Sequence, residues 1–152
     1  MVPKPFEYPA LTTPESTLMN VKYAWERRDS TRTKLIYADD YMGTSTDQAD
    51  NSTLTFAKNQ EVAAVAAMEQ STHVTRVTMD LKPATWNRFR YVSDPPGWTA
   101  IQMNGVNIQV DDNQYGTMVA NNDAFFEFKL KPASVSGPDT TWAIVRWTEL
   151  HL

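Results

Sequence analysis

Ala24 to Gly43 reads AWERRDSTRTKLIYADDYMG, and the fold turns on how this stretch changes its periodicity. Trp25 lies on an apolar helix face, Glu26, Arg27, Arg28 and Asp29 close that segment in charge, and a polar break follows at Ser30 and Thr31. From Thr33 to Asp39 there is room for about two helical turns, with Leu35, Ile36 and Tyr37 expected inward. Asp39 and Asp40 favour a turn, and they are expected to end this short helix on a solvated acidic corner. A carboxylate pair, or a metal loop with Asp47 and Asp50, is the alternative, but these acids lack the close regular spacing that hard cations need. Tyr41 to Thr46 then shifts to strand-forming residues. The segment thus reads as the end of a long helix, a short helix and a strand in direct succession.

Working toward the N-terminus, Thr13 offers a side-chain cap, Pro14 suits the first helical position, and Glu15 favours the positive end of the helix dipole. Leu18, Val21, Lys22 and Trp25 recur at helical spacing, so one helix is predicted from Pro14 to about Arg28. Pro3, Pro5, Pro9 and Pro14 mark residues 1 to 13 as an extended arm.

Toward the C-terminus, Asp47 to Ser52 reads as a polar loop. A second long helix is predicted from a capping Thr55 to near Ser71, with Val62, Val65, Ala66 and Met68 on its apolar stripe. The remaining half reads as sheet. Val77, Met79 and Leu81 alternate with polar residues, as on a half-buried strand. Ile101 and Met103 point one way and Val106, Ile108 and Val110 the other, so a hairpin turn or a bulge is expected at Asn104-Gly105. Tyr115 to Leu130 carries one long strand or a broken pair, Pro132 to Asp139 a loop, and Trp142 to Leu150 the last strand. The fold class is therefore α+β: a curved antiparallel sheet wrapped around a long N-terminal helix and two further helices, as one domain over 14–152.

The chain has 152 residues and a net charge of -4, and its 14 Lys and Arg are scattered, which argues against a nucleic-acid partner. Without cysteine, thiolate chemistry, disulfides and Cys-bound metals are excluded. No cofactor or metal site is expected. No apolar run reaches the roughly 18 residues of a membrane span, and the Pro-rich start lacks the apolar centre of a signal peptide. As written the chain is expected to be soluble. Its compartment stays open, since a bacterial extracytoplasmic protein that has lost its signal would begin in the same way.

Two segments carry a resemblance: AWERRDSTRTKLIYADDYMG, with its long helix, acidic break, short helix and acidic turn, and TTWAIVRWTEL from Thr140 to Leu150. Together they resemble the nuclear transport factor 2-like group, the cone-shaped fold of SnoaL-like polyketide cyclases and ketosteroid isomerases. Uncharacterised bacterial members with a Pro-rich start look most similar. The resemblance implies a cone with a pocket at its open end, and it covers the chain from Pro14 onward. The isomerases' carboxylate base falls on Ser45, their oxyanion-hole tyrosine on Val21, and their protonated aspartate near Phe126. Because none of these can play the matched role, steroid isomerase chemistry is not expected. Among the fold's epoxide hydrolases, an acid two residues after a Trp matches Glu149 after Trp147, but their Arg-x-Asp has no counterpart in GVNIQVDD, Gly105 to Asp112.

The first expectation for function is a SnoaL-like small-molecule-binding domain without a demonstrable catalytic set, its apolar pocket taking an apolar or ring-containing ligand. Val21, Trp25, Tyr41, Ser45 and Phe126 are the candidate ligand-binding residues. Trp25 shares the helix face of Val21, and Tyr41 and Ser45 share strand parity. The alternative is a cyclase, isomerase or hydrolase transferring protons through Glu127 or Glu149. Glu127 stands between Phe126 and Phe128; either it lies on the outer sheet face or, with the opposite parity, it is a buried acid of raised pKa. The cost of burying a charge favours the first. A third expectation is a homodimer formed through the outer sheet face. His73 and His151 are expected at the surface, His151 at a fraying end.

Overall fold

The computed structural model describes residues 2–120, 124–136 and 139–151. The first helix, α1 (Pro14–Glu26), begins where Thr13 Oγ1 accepts the Ser16 amide at 3.0 Å. It ends at Glu26, short of Arg28, because Arg28 takes a left-handed φ of 53°. That corner frees Asp29 to cap α2 (Ser30–Ile36), whose Arg32 amide donates to Asp29 Oδ1 at 2.9 Å. The short helix therefore starts and ends earlier than Thr33 to Asp39. Its changed phase buries Thr33 and Ile36 and leaves Leu35, expected inward, 61% exposed.

The strand β1 (Tyr37–Asp47) follows at once, so Asp39 and Asp40 stand inside a strand and do not end a helix. The register of β1 against its parallel neighbour slips between Tyr37 and Met42, turning both aspartates out to solvent. There Asp39 meets Lys58 at 3.1 Å and Asp40 meets Lys131 at 2.7 Å. In a regular strand the four-residue step from Tyr37 to Tyr41 would span about 13 Å. The irregularity shortens it until the two rings stack, centroids 4.5 Å apart and 11° from parallel.

Ser52 to Ala57 forms β2, antiparallel to β1, where a loop and the start of a helix were expected. The second long helix, α3 (Lys58–Gln70), begins after Ala57, and Thr55 sits in the ladder opposite Thr44 instead of capping it. The other strands are β3 (Val74–Asp80), β4 (Asn87–Phe89), β5 (Thr99–Asn104), β6 (Asn107–Asp112), β7 (Gly116–Ala120), β8 (Ala124–Ser136) and β9 (Asp139–His151). They build a six-stranded sheet in the order β2-β1-β9-β8-β5-β4 and a three-stranded sheet in the order β3-β6-β7. The larger sheet is mixed, since β1 and β9 run parallel while its other pairs are antiparallel.

Asn104-Gly105 is neither a hairpin nor a bulge. β5 and β6 do not pair; Gly105, at φ 73°, is the corner where the chain crosses from one sheet to the other, and the inward parity switches for that reason. The stretch from Tyr115 to Leu130 is broken between the two sheets. Most of Pro132 to Asp139, expected as loop, is strand: Ser134 pairs with Thr141 and Ser136 with Asp139, while residues 137 and 138 lie outside the described ones. Pro132 sits beside a register slip, where its missing N–H disturbs the ladder least.

Leu18, Val21 and Ala24 of α1 pack on both sheets, against Met79 of β3, Met103 of β5, Phe126 and Phe128 of β8 and Ile144 of β9. The arm is tied to this unit: Tyr8 Oη donates to Asp29 Oδ2 at 2.8 Å, and Trp142 N donates to Leu11 O at 2.9 Å. Among the described residues no helix is long and apolar enough to cross a membrane.

Candidate functional site

Beyond the core cluster, α3 and the β1–β2 hairpin stand off from α1 and the smaller sheet and leave a cavity of about 500 Å³. One wall is Gly43 and Ser45 of β1 with Trp147 and Glu149 of β9. These two strands pair Gly43 with Trp147 and Ser45 with Glu149, so the parity that presents Ser45 also presents Glu149. Leu54 and Phe56 of β2, paired with Ser45 and Gly43, extend that wall, and Gln60, Glu61 and Ala64 of α3 add a further side. Trp25, Met79 and Ile108 complete the lining from α1 and the smaller sheet. The walls are therefore chiefly apolar, with two carboxylates.

Glu61 Oε1 accepts the Tyr41 hydroxyl at 2.9 Å. Burial pushes the Glu61 carboxyl up to about 7; the Tyr41 hydrogen bond opposes that shift and the charge of Glu149 adds to it. Glu149 is raised too, first by burial, against the opposing hydrogen bonds of His151 and Ser45. Burial also drives the Tyr41 hydroxyl well above the usual tyrosine range. Trp25 Nε1 donates to Tyr37 Oη at 3.0 Å, which ties the helix to the stacked tyrosine pair behind the cavity. Gly43 makes this packing possible: a β-carbon there would stand 2.6 Å from Tyr41 Oη and 3.0 Å from Glu61 Oε1.

Trp25, Ser45 and Glu149 meet at the cavity, and Tyr41 reaches it through Glu61. Val21 and Phe126 do not line it; both are fully buried in the core behind it. Glu127 lies on the outer sheet face, because Phe126 and Phe128 on either side of it are buried. There its carboxylate accepts from Tyr91 Oη at 2.6 Å and Gln102 Nε2 at 2.7 Å. His151 belongs to β9, with Nε2 3.0 Å from Glu149 Oε2, so it is part of the site's surroundings and not a frayed end. His73 is exposed, beside Asn113.

Glu61 has no precedent in the reading of the sequence. The available signal was its position: it precedes the buried Val65 by four residues and so shares the inward face of α3.

Neither a family model nor a curated protein matches this sequence. Solved structures do. A nuclear transport factor 2-like superfamily protein from Salmonella enterica serovar Typhimurium aligns at TM-score 0.61 and 12% identity, over 89% of this chain and 85% of that one. An uncharacterised cystatin-like protein from Caulobacter vibrioides aligns at 0.59 and 13%, over 91% and 86%. A ketosteroid isomerase-like protein from Erwinia carotovora atroseptica aligns at 0.52 and 15%, over 92% and 94%. At these identities the likeness is one of fold. The chain has the α+β cone fold of the nuclear transport factor 2-like, cystatin-like group.

Proposed function

We propose that this chain is a small-molecule-binding domain of the SnoaL-like type, and that its ligand, largely apolar or ring-containing, enters the cavity between α3 and the smaller sheet. The observation that carries this reading is a lining of Trp25, Leu54, Phe56, Met79, Ile108 and Trp147 interrupted by only a few polar groups. A screen of small ring-containing compounds, followed by tryptophan fluorescence and ligand-detected NMR, tests it. Trp25→Ala should weaken binding by about tenfold, the loss of one aromatic contact, with a smaller effect on folding. An equal loss of binding and folding would assign Trp25 to the core, and no binder in the screen would sink the reading.

A second reading, proton-transfer catalysis, is favoured by one feature. Glu61, held by Tyr41 and raised to about 7, is suited to give or take a proton near neutral pH. Here Glu61 and Glu149 take the part, and Glu127, outside the cavity, does not. Absence of turnover for every compound found in the same screen, or turnover that survives Glu61→Gln/Glu149→Gln unchanged, would remove it. For the outer sheet face we retain a homodimer: a dimeric mass by sedimentation at micromolar concentration is expected, and a monomeric one would discard it.

A further inference from the structure

Carboxylates drawn part-way out of water, as the half-buried Glu61 and Glu149 are, ordinarily gain a cationic partner, since an unpaired charge in an apolar setting is costly. Here the lining contains no lysine or arginine among the described residues. The groups around the two acids are Tyr41 and Ser45 from β1, Tyr37 behind Tyr41, and His151 beside Glu149, which is a cation only when protonated. The molecule does not lack basic residues nearby. Lys58, on the same helix as Glu61, is paired with Asp39 outside the cavity, and Lys131 with Asp40.

The aromatic walls also bear on a ligand. Trp25 and Trp147 present indole rings, at 5.9 Å and 79° to each other, and Phe56 adds a phenyl ring; aromatic faces attract cations through their quadrupole. Trp147 lines the cavity with its ring; its indole N–H, without a partner among the described residues, is itself covered and plays no part in this lining.

From this geometry we infer that the cavity selects a small organic cation, an amine or quaternary ammonium on an apolar body, placed between Glu61, Glu149 and the aromatic walls. The inference rests on the ligand-binding reading above. It has a consequence for pH: a bound cation draws the proton from Glu61, so affinity climbs as pH rises through about 7.

The test uses two molecules of one shape, benzyldimethyl(2-hydroxyethyl)ammonium and its uncharged carbon isostere 3,3-dimethyl-4-phenylbutan-1-ol. The first carries a permanent charge, so any pH dependence belongs to the protein. Calorimetry on the full chain at pH 8 should find the cation bound about tenfold more tightly or better. That preference should shrink at pH 5, and in the Glu61→Gln and Glu149→Gln variants once each is shown to be folded. Equal or tighter binding of the neutral isostere at pH 8 overturns the cation inference and leaves the binding reading standing. Binding of neither overturns both. A preference that survives unchanged in Glu61→Gln/Glu149→Gln also overturns it, since the charge would then be sensed elsewhere.

Discussion

Glu61→Gln is expected to stabilise the fold by about 2 kcal/mol at pH 8 and to change it little at pH 5. The folded chain holds the Glu61 proton up to about 7, whereas a free carboxyl releases it near 4.5. Between those values the native state binds a proton that the unfolded chain has lost, so native stability falls as pH rises through that window. The stabilising effect is complete below 4.5 and gone above 7. At about 1.4 kcal/mol per unit, that displacement has a ceiling of about 3.5 kcal/mol, and solvent reaching the cavity lowers it to about 2 kcal/mol. Gln is neutral throughout and still offers an acceptor to the Tyr41 hydroxyl. Urea unfolding at the two pH values measures the difference. A variant no more stable than the parent at pH 8 would show that Glu61 is not held in an apolar setting. Glu149→Gln should shift stability in the same direction but by less, because His151 and Ser45 already support the Glu149 carboxylate.

The contrast between these two acids shows where the sequence stops being informative. Glu149 was singled out only through the resemblance, as an acid two residues after Trp147. Ser45 and Tyr41 followed from strand parity, and Trp25 from its helical spacing with Leu18 and Val21. A charged residue on a helix, by contrast, reads as solvated unless something covers it, and what covers Glu61 is Tyr41 and the sheet face at β1 and β9, brought there by tertiary packing. The start of α1 was written locally in Thr13, Pro14 and Glu15. β2 was not, because STLTFA runs into a helix-forming segment without a glycine or proline between them, and Thr55 imitates a cap. Division of the strands into two sheets and the parallel pairing of β1 with β9 are non-local, and no run of residues announces them. The acidic pair Asp39-Asp40 illustrates the limit well: its preference for solvent was readable, but its effect, the bulge that stacks Tyr37 on Tyr41, depends on β9 alongside.

That bulge makes Gly43 the residue whose change reaches furthest. Its φ is not left-handed, so conformational freedom is not the reason for glycine here; space is. A methyl group would arrive 2.6 Å from Tyr41 Oη, 3.0 Å from Glu61 Oε1 and 3.3 Å from Tyr41 Cζ, the first too close to stand without a shift. Tyr41 cannot yield freely, being 3% exposed and stacked on Tyr37, so the strain falls on the Tyr41–Glu61 hydrogen bond. Overpacking and a lost buried hydrogen bond each cost about 1–3 kcal/mol, and Gly43→Ala is expected to destabilise by about 3 kcal/mol in all. The cause can be isolated. Tyr41→Phe removes the atom nearest the new methyl group, so Gly43→Ala should cost about 1 kcal/mol in that background, a coupling of about 2 kcal/mol. Chemical denaturation of the four proteins of the cycle measures this. Additive costs would mean that Gly43 and the Tyr41 hydroxyl do not compete for one space. Strong coupling would place the strand's glycine, the tyrosine and the acid of α3 in one mechanical unit, and Gly43→Ala should then also alter how Glu61 titrates.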